Sequence, residues 1–232
     1  MAGDNYFLLT SLPSLGDIGS APPISPAELL ERVAEAEGSC PLIEALFLSD
    51  DLLQRQALLA SEIQKVDPAV LTVAQTRNEE PLPDFAETLS EEHVGVPVGD
   101  ILWESYFRHV ASTAASEGSG FLQAWVRYEV SLRNALALAR AKALNLDPQS
   151  YLVAADLGGD EGSFSSLLSE WSATADPLAG VQVLDRARWR WIGENDGWFT
   201  FEDDEVVAYA AKLMLLQRWK RLSKEAIETR TD

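Results

Sequence analysis

The stretch RARWRWIGE, residues 186–194, concentrates three arginines and two tryptophans in a chain that is otherwise strongly acidic. As a β-strand, it would place the three arginines on one face and both tryptophans on the other. As an α-helix, it would distribute the same side chains around the helix axis. The two structures would present different surfaces, so this stretch decides the fold class.

The surrounding sequence favours the helix. Asp176 followed by Pro177 is a typical helix start, with an N-cap residue and a proline at the first helical position. Val181, Leu184 and Trp191 then recur at the helical period. We therefore expect Leu184 and Trp191 to face the core of a helical protein.

The same helix would carry Arg186, Arg190 and Trp189 near its rim. Tryptophan and arginine are enriched at the hot spots of protein interfaces, so the helix is a candidate partner surface. A solvated rim around packed tryptophans is the alternative interpretation. With the basic residues of the last helix added, the candidate interface comprises Arg186, Arg188, Trp189, Arg190, Arg218, Lys220 and Arg221.

Helical patterns recur along most of the chain. Ser25, Pro26 and Glu28 predict a helix with an N-cap and a capping box. Residues 41–65 predict one or two helices, broken near Ser49. Three further apolar stripes have helical spacing: Trp103, Phe107, Val110 and Ala114; Phe121, Trp125, Leu132, Leu136, Ala139 and Ala143; and Val206, Ala210, Leu213 and Leu216. The second stripe predicts a helix of about 24 residues that ends near Asn145.

The segment before the last helix holds a turn and an acidic run. GENDG, residues 193–197, predicts the turn, and Thr200 is the expected N-cap. Four consecutive acidic residues at 202–205 could suggest a metal site. Consecutive carboxylates on the first turn of a helix point in different directions, so a favourable interaction with the helix dipole is the better explanation.

Residues 66–99 differ from the rest because they hold four prolines and many acidic groups. They predict a long surface excursion with a short helix over residues 83–92. A linker between two lobes and a loop on one domain both remain open. We therefore expect residues 1–232 to form a single helical domain, all-α and built of packed antiparallel helix pairs, with a possible internal boundary in the excursion.

Composition restricts the possible partners. The 232 residues are 47% hydrophobic, which suits one globular domain or at most two small ones. The net charge is −19, and residues 1–100 alone carry 18 acidic and four basic residues. Such a chain repels phosphate backbones, so nucleic acid is not an expected partner. The lone Cys40 fits a reducing compartment, and the opening MAGDNYF lacks the basic region of a signal peptide, so we expect a cytoplasmic protein.

Catalytic patterns are missing from the sequence. There is no P-loop and no nucleophile elbow. His93, His109 and Cys40 do not form a standard zinc pattern. We assign no catalytic, cofactor-binding or metal-binding residue and expect a non-enzymatic protein, while an enzyme with an unusual site remains an alternative.

Three stretches resemble known proteins. NYFLLTSLPSL (residues 5–15) and the segment from LDRARWRW to KEAIE (residues 184–228) resemble the opening and closing segments of an uncharacterised bacterial family encoded among the genes for V/A-type rotary ATPases. RYEVSLRNALALARAKAL (residues 127–144) resembles a helix pattern of the socket subunit of those ATPases, which is designated C or d. The residues at the matching spacings are Glu129, Asn134, Arg140 and Lys142. Ser131 stands where an acidic residue is usual.

The resemblance implies an all-helical, funnel-like protein without catalytic residues or cofactors. The socket subunit lies between the central stalk and the membrane ring of proteolipid subunits, and it transmits torque. The implied partners are the stalk subunits and the ring, and the chain would be peripheral to the inner face of the membrane only through them. An acidic cytoplasmic adaptor or assembly factor that acts outside the rotor is the alternative function.

Overall fold

The computed structural model describes residues 5–86, 98–159 and 164–228, and all regular structure in these ranges is helical, as the sequence predicts. None of the helices described there is long and apolar enough to cross a bilayer. The α-helices are α1 (Tyr6–Ser11), α2 (Pro26–Glu35), α3 (Cys40–Leu59), α4 (Val73–Thr76), α5 (Val98–Ser116), α6 (Gly120–Ala143), α7 (Ser165–Ser172), α8 (Pro177–Asn195) and α9 (Asp203–Glu228). Short 3₁₀ helices cover Asp84–Ala86, Pro148–Tyr151 and Ala155–Leu157.

Helix α9 lies at the centre of the fold. It packs against α2, α3, α6 and α8. Its predicted apolar stripe is confirmed, because Val206, Ala210, Leu213 and Leu216 are all buried. A helix surrounded in this way can connect distant parts of the chain through its remaining side chains.

Helices α5 and α6 form an antiparallel pair joined by a short turn over residues 117–119. Ser119 caps α6 by accepting a hydrogen bond from the backbone N–H of Leu122 at 3.0 Å. The stripe of α5 is buried throughout, and α6 has the predicted length of 24 residues. The last turns of α6 differ from the prediction: Leu136 and Ala139 are half-buried, and Ala143 is exposed.

Two details of the first helices correct the sequence predictions. Ser25 is the N-cap of α2, but Glu28 pairs with Arg32 at 2.8 Å and does not complete a capping box. Helix α3 is not broken near Ser49. The Ser49 hydroxyl donates to the carbonyl of Leu46 at 2.9 Å, within the helix, so the polar residue needs no interruption.

Hydrogen bonds join the first half of the proline-rich excursion to α3. Asp51 is buried, and its carboxylate accepts hydrogen bonds from the backbone N–H groups of Ala69, Val70 and Leu71 at 2.7–2.9 Å. Burial raises the pKa of Asp51 to about 6, and the three backbone bonds act in the opposite direction. Of the helix predicted at 83–92, the structure describes only the 3₁₀ turn at Asp84–Ala86, because residues 87–97 lie outside the described ranges.

The connection between α8 and α9 also differs from the prediction. Helix α8 continues to Asn195, so the turn begins later than residue 193. Helix α9 begins at Asp203, and Thr200 is therefore not its N-cap. Phe199 and Phe201 adopt positive φ angles of 65° and 56°, which a right-handed helix cannot include.

Candidate functional site

A bidentate ion pair joins α6 to α8. Arg188 donates from Nε and Nη2 to the two carboxylate oxygens of Glu129, at 2.7 and 2.9 Å. The two side chains are only 16% and 18% exposed. Burial alone would lower the pKa of Arg188, but Glu129 and Asp185 raise it above its ordinary value. Paired arginine–carboxylate geometry of this kind is among the strongest polar contacts in proteins.

Asp185 joins α8 to α9. Its carboxylate is fully buried and accepts hydrogen bonds from Arg188 Nη1 at 3.0 Å and Arg218 Nη1 at 3.2 Å. The indole Nε1 of Trp219 donates to its second oxygen at 3.1 Å. A buried charge is tolerated only with such compensation, so Asp185 depends on all three donors.

Asp50 of α3 extends the same system. It is buried, and Arg218 and Arg221 of α9 both donate to its carboxylate. A continuous series of ion pairs therefore links α6, α8, α9 and α3. We call it the arginine–carboxylate chain; its members are Glu129, Arg188, Asp185, Arg218, Asp50 and Arg221.

The structure divides the seven residues of the predicted interface. The guanidinium groups of Arg188, Arg218 and Arg221 belong to the arginine–carboxylate chain. Trp189 is half-buried, with the Lys212 ammonium 6.0 Å from its ring centroid. The remaining three, Arg186, Arg190 and Lys220, are exposed. Sequence could not separate the two groups, because each of the three paired arginines has a carboxylate partner that lies 33 or more residues away along the chain.

The motif residues of α6 have four different surroundings. Glu129 belongs to the arginine–carboxylate chain. Asn134 is buried and makes two 3.0 Å hydrogen bonds to Val153, accepting from its N–H and donating to its carbonyl. The exposed Arg140 guanidinium lies 5.2 Å from the ring centroid of Trp171. Lys142 is exposed. The first two motif residues, Glu129 and Asn134, therefore make structural contacts, whereas the last two lie at the surface.

We expect Asn134→Ala to lower the free energy of unfolding by about 2 kcal/mol, because it leaves two buried backbone groups of Val153 without partners. Urea denaturation followed by circular dichroism measures the change. Asn195→Ala is the matched control. The Asn195 side chain is exposed, so its loss should change the free energy of unfolding by no more than about 0.5 kcal/mol. Equal effects of the two variants would contradict a structural role for Asn134.

A cleft of about 440 Å³ lies beside the arginine–carboxylate chain. Residues from α3, α5, α6, α8 and α9 line it, among them Trp103, Phe107 and Trp125. Among the described residues that line it, the carboxylates are Asp100 and Glu129, and each is paired with an arginine. Arg133 donates to Asp100 at 3.1 Å, and Arg188 donates to Glu129 at 2.7 Å. A carboxylate already paired in this way suits structural bonding better than proton transfer. The sequence did not predict this cleft.

A second feature that the sequence did not predict is a row of aromatic rings, which we call the aromatic surface. Its members, in order along the row, are Phe7, Tyr6, Phe201, Phe199 and Trp198. Successive ring centroids along the row are 5.6, 5.0, 6.2 and 4.7 Å apart. Phe7, Trp198 and Phe199 are 81%, 75% and 66% exposed. The clue in the sequence is the run WFTF at residues 198–201, in which three of four residues are aromatic.

Glu205 holds the aromatic surface in place. Its two carboxylate oxygens accept hydrogen bonds from the backbone N–H groups of Phe199 at 3.2 Å and Phe201 at 2.8 Å. A bulky residue with positive φ costs of order 1–3 kcal/mol and persists only where its surroundings enforce it. The carboxylate supplies that enforcement, so two strained residues present their rings in a fixed arrangement.

The acidic run at 202–205 has specific partners beyond the helix dipole. Asp203 accepts from the side-chain amide of Asn5 at 2.8 Å, and Asp204 accepts from the Ser119 hydroxyl and the Phe121 N–H. Within the described ranges, no group of three or more histidine, cysteine or acidic residues could hold a metal ion. Each contact joins the start of α9 to another part of the chain.

Three features of the described residues are therefore candidates for function: the arginine–carboxylate chain with its cleft, the exposed arginines of α8, and the aromatic surface. The ion pairs of the first are largely buried beside the cleft, whereas the other two features face solvent. Comparisons of the chain with protein-family models, with curated proteins and with solved structures found no match.

Proposed function

We propose that this chain is a non-enzymatic component of a V/A-type rotary ATPase, similar to the socket subunit, which couples the central stalk to the membrane proteolipid ring or assists in assembling the two. The observation that carries the proposal is the arginine–carboxylate chain. It connects four helices of the fold through buried, charge-assisted hydrogen bonds.

Transmission of torque requires helices that do not slide past one another. Separating a buried ion pair leaves an uncompensated charge in the protein interior, which costs several kcal/mol. Movement of α9 relative to α3 or α8 would separate Asp50 or Asp185 from its arginines. The connected pairs therefore suit a rigid mechanical element.

The residues that carry the family resemblance also carry this arrangement. Glu129 lies in the stretch similar to the socket subunit, and the other partners except Asp50 lie in the closing segment. The opening stretch packs on the same segment: Asn5 donates to Asp203, and the Tyr209 hydroxyl donates to the Pro13 carbonyl at 2.8 Å. All three stretches thus contribute to one body, as expected if they share a function.

The proposal is tested by purifying the tagged protein from its own cells in mild detergent and quantifying the eluate by mass spectrometry. Stalk and ring subunits in near-equal amounts to the bait are the expected result. Their absence would overturn the proposal. It would favour a free-standing acidic adaptor, the function to which the exposed aromatic surface would also be suited.

We expect Arg186→Glu combined with Arg190→Glu to leave the fold intact and to reduce recovery of the ATPase subunits about tenfold. Both arginines are exposed, and among the described residues neither forms an ion pair. The matched control reverses two other exposed charges, Lys65→Glu with Arg77→Glu, and should not change recovery. If both double variants behave alike, the arginines of α8 are only a solvated rim.

A further inference from the structure

We propose that the aromatic surface, together with the acidic groove beside it, binds a basic amphipathic helix of a partner protein. The groove has a volume of about 590 Å³ and adjoins the aromatic surface at Phe201. This site is separate from the exposed arginines of α8 and goes beyond the proposed coupling role. It requires a partner with apolar and cationic side chains on one face.

The apolar half of the site is the aromatic surface itself. Contiguous exposed apolar patches are uncommon on proteins that act alone, and they mark interaction sites. Aromatic side chains are also the most frequent anchors of protein interfaces. The Glu205 carboxylate fixes the backbone beneath two of the rings, so little freedom remains to be lost when a partner binds.

The rings offer several anchor points for a helix. Neighbouring centroids are 4.7–6.2 Å apart, which is the ordinary contact distance of aromatic pairs, so the row continues over five side chains. Apolar side chains on one face of a partner helix recur about every 5.4 Å along its axis and can contact several of these rings at once. Helices that dock an apolar face into a complementary surface use this pattern of anchors.

The acidic half of the site determines the charge of the partner. Glu37, Glu117, Glu202 and Asp203 line the groove, and no lysine, arginine or histidine is among the described residues that line it. Asp203 is partly compensated by Asn5, and within the described part of the chain the Glu117 carboxylate accepts only from the Ser39 hydroxyl, at 3.2 Å. Lysine or arginine side chains of a partner would supply the missing positive charge.

The same charge argues against other occupants. An anionic lipid surface would meet like charge in the groove, at the edge of the rings. A second copy of the chain would bring an identical acidic groove and a further net charge of −19. A basic helix is the occupant that satisfies both halves of the site.

The test uses the purified full chain and a fluorescent synthetic helix of about 18 residues, with leucine on one face and lysine beside it. Fluorescence anisotropy measures binding. We expect the lysine peptide to bind and a peptide with glutamate in place of lysine not to bind. Equal binding of both peptides, or no binding of either, would overturn the proposal.

Two variants locate the site. Phe7→Ala with Trp198→Ala should weaken peptide binding at least about tenfold, whereas Leu59→Ala with Leu144→Ala, which removes exposed apolar groups elsewhere, should change it less than about twofold. Glu37→Gln with Glu117→Gln should weaken binding and reduce its dependence on salt. Unchanged binding by the aromatic variant would mean that the peptide is attracted by net charge alone, which would overturn the site.

Two controls address the other occupants. Analytical ultracentrifugation would reveal a dimer that depends on Phe7 and Trp198, and flotation with phosphatidylglycerol vesicles would reveal lipid binding that depends on them. Either result would overturn the proposal in favour of that occupant. The assays use isolated protein, so their outcome is independent of whether the chain co-purifies with an ATPase.

Discussion

Replacing Asp185 with alanine is expected to lower the free energy of unfolding by about 3–5 kcal/mol, because removing one partner of a buried ion pair leaves the others uncompensated. Arg188 and Arg218 each lose a carboxylate oxygen, and the indole N–H of Trp219 loses its acceptor. Urea denaturation followed by circular dichroism measures the change. A lower midpoint with an unchanged slope would show a loss of stability without a change in compactness.

Asp156→Ala is the matched control for this prediction. Asp156 pairs with Arg108 at 3.0 Å, but both side chains are about half exposed or more. Surface ion pairs contribute little, so the expected cost is below about 1 kcal/mol. If Asp185→Ala lowered the free energy of unfolding by as little as this control, the arginine–carboxylate chain could not be a rigid connection. The support that it gives to the proposed function would then be lost.

The second large effect is expected at Trp191, whose replacement by alanine should cost about 3 kcal/mol. Its ring is half-buried, less than the sequence predicts, but it packs against three other rings. The centroids of Phe121, Trp125 and Tyr128 lie 5.8, 5.5 and 5.0 Å away. The substitution removes these contacts and opens a gap between α6 and α8.

Trp198→Ala provides the comparison for Trp191. Trp198 is 75% exposed and belongs to the aromatic surface, so its loss should change stability within about 0.5 kcal/mol. Both variants remove an indole, and only the packing differs. Similar stability of the two variants would contradict the role of Trp191 as an anchor between the helices.

The helices were predictable because their signals are local. The spacing of Trp103, Phe107 and Val110 depends only on the period of the helix. The N-cap Asp176 lies next to the helix it starts and accepts from the N–H of Ala179 at 2.8 Å. Such features can be recognised without knowledge of the rest of the chain, which is why α5, α6 and α8 were expected where they lie.

The candidate sites were less predictable because their contacts are distant in sequence. Arg188 pairs with Glu129, 59 residues earlier, and Arg221 pairs with Asp50, 171 residues earlier. Nothing in the pattern of RARWRWIGE distinguishes the paired Arg188 from the exposed Arg186 and Arg190. Only the packing of four helices decides which guanidinium group finds a carboxylate.

The aromatic surface was missed for a different reason. Its backbone places Phe199 and Phe201 at positive φ, although bulky residues disfavour that region and glycine or asparagine usually mark it. The compensating group is the side chain of Glu205, whose role follows from three-dimensional structure alone. Sequence rules therefore predicted a helix start at Thr200, where the structure has a strained loop.

The central position of α9 has a consequence for folding during synthesis on the ribosome. Helix α3 emerges early, yet its buried Asp50 must wait for Arg218 and Arg221, which are translated some 170 residues later. At about 5–20 residues per second, that delay lasts on the order of ten seconds or more. During this delay, Asp50 lacks its arginine partners, and the face of α3 that packs on α9 remains uncovered. The fold can therefore be completed only after α9 has left the exit tunnel.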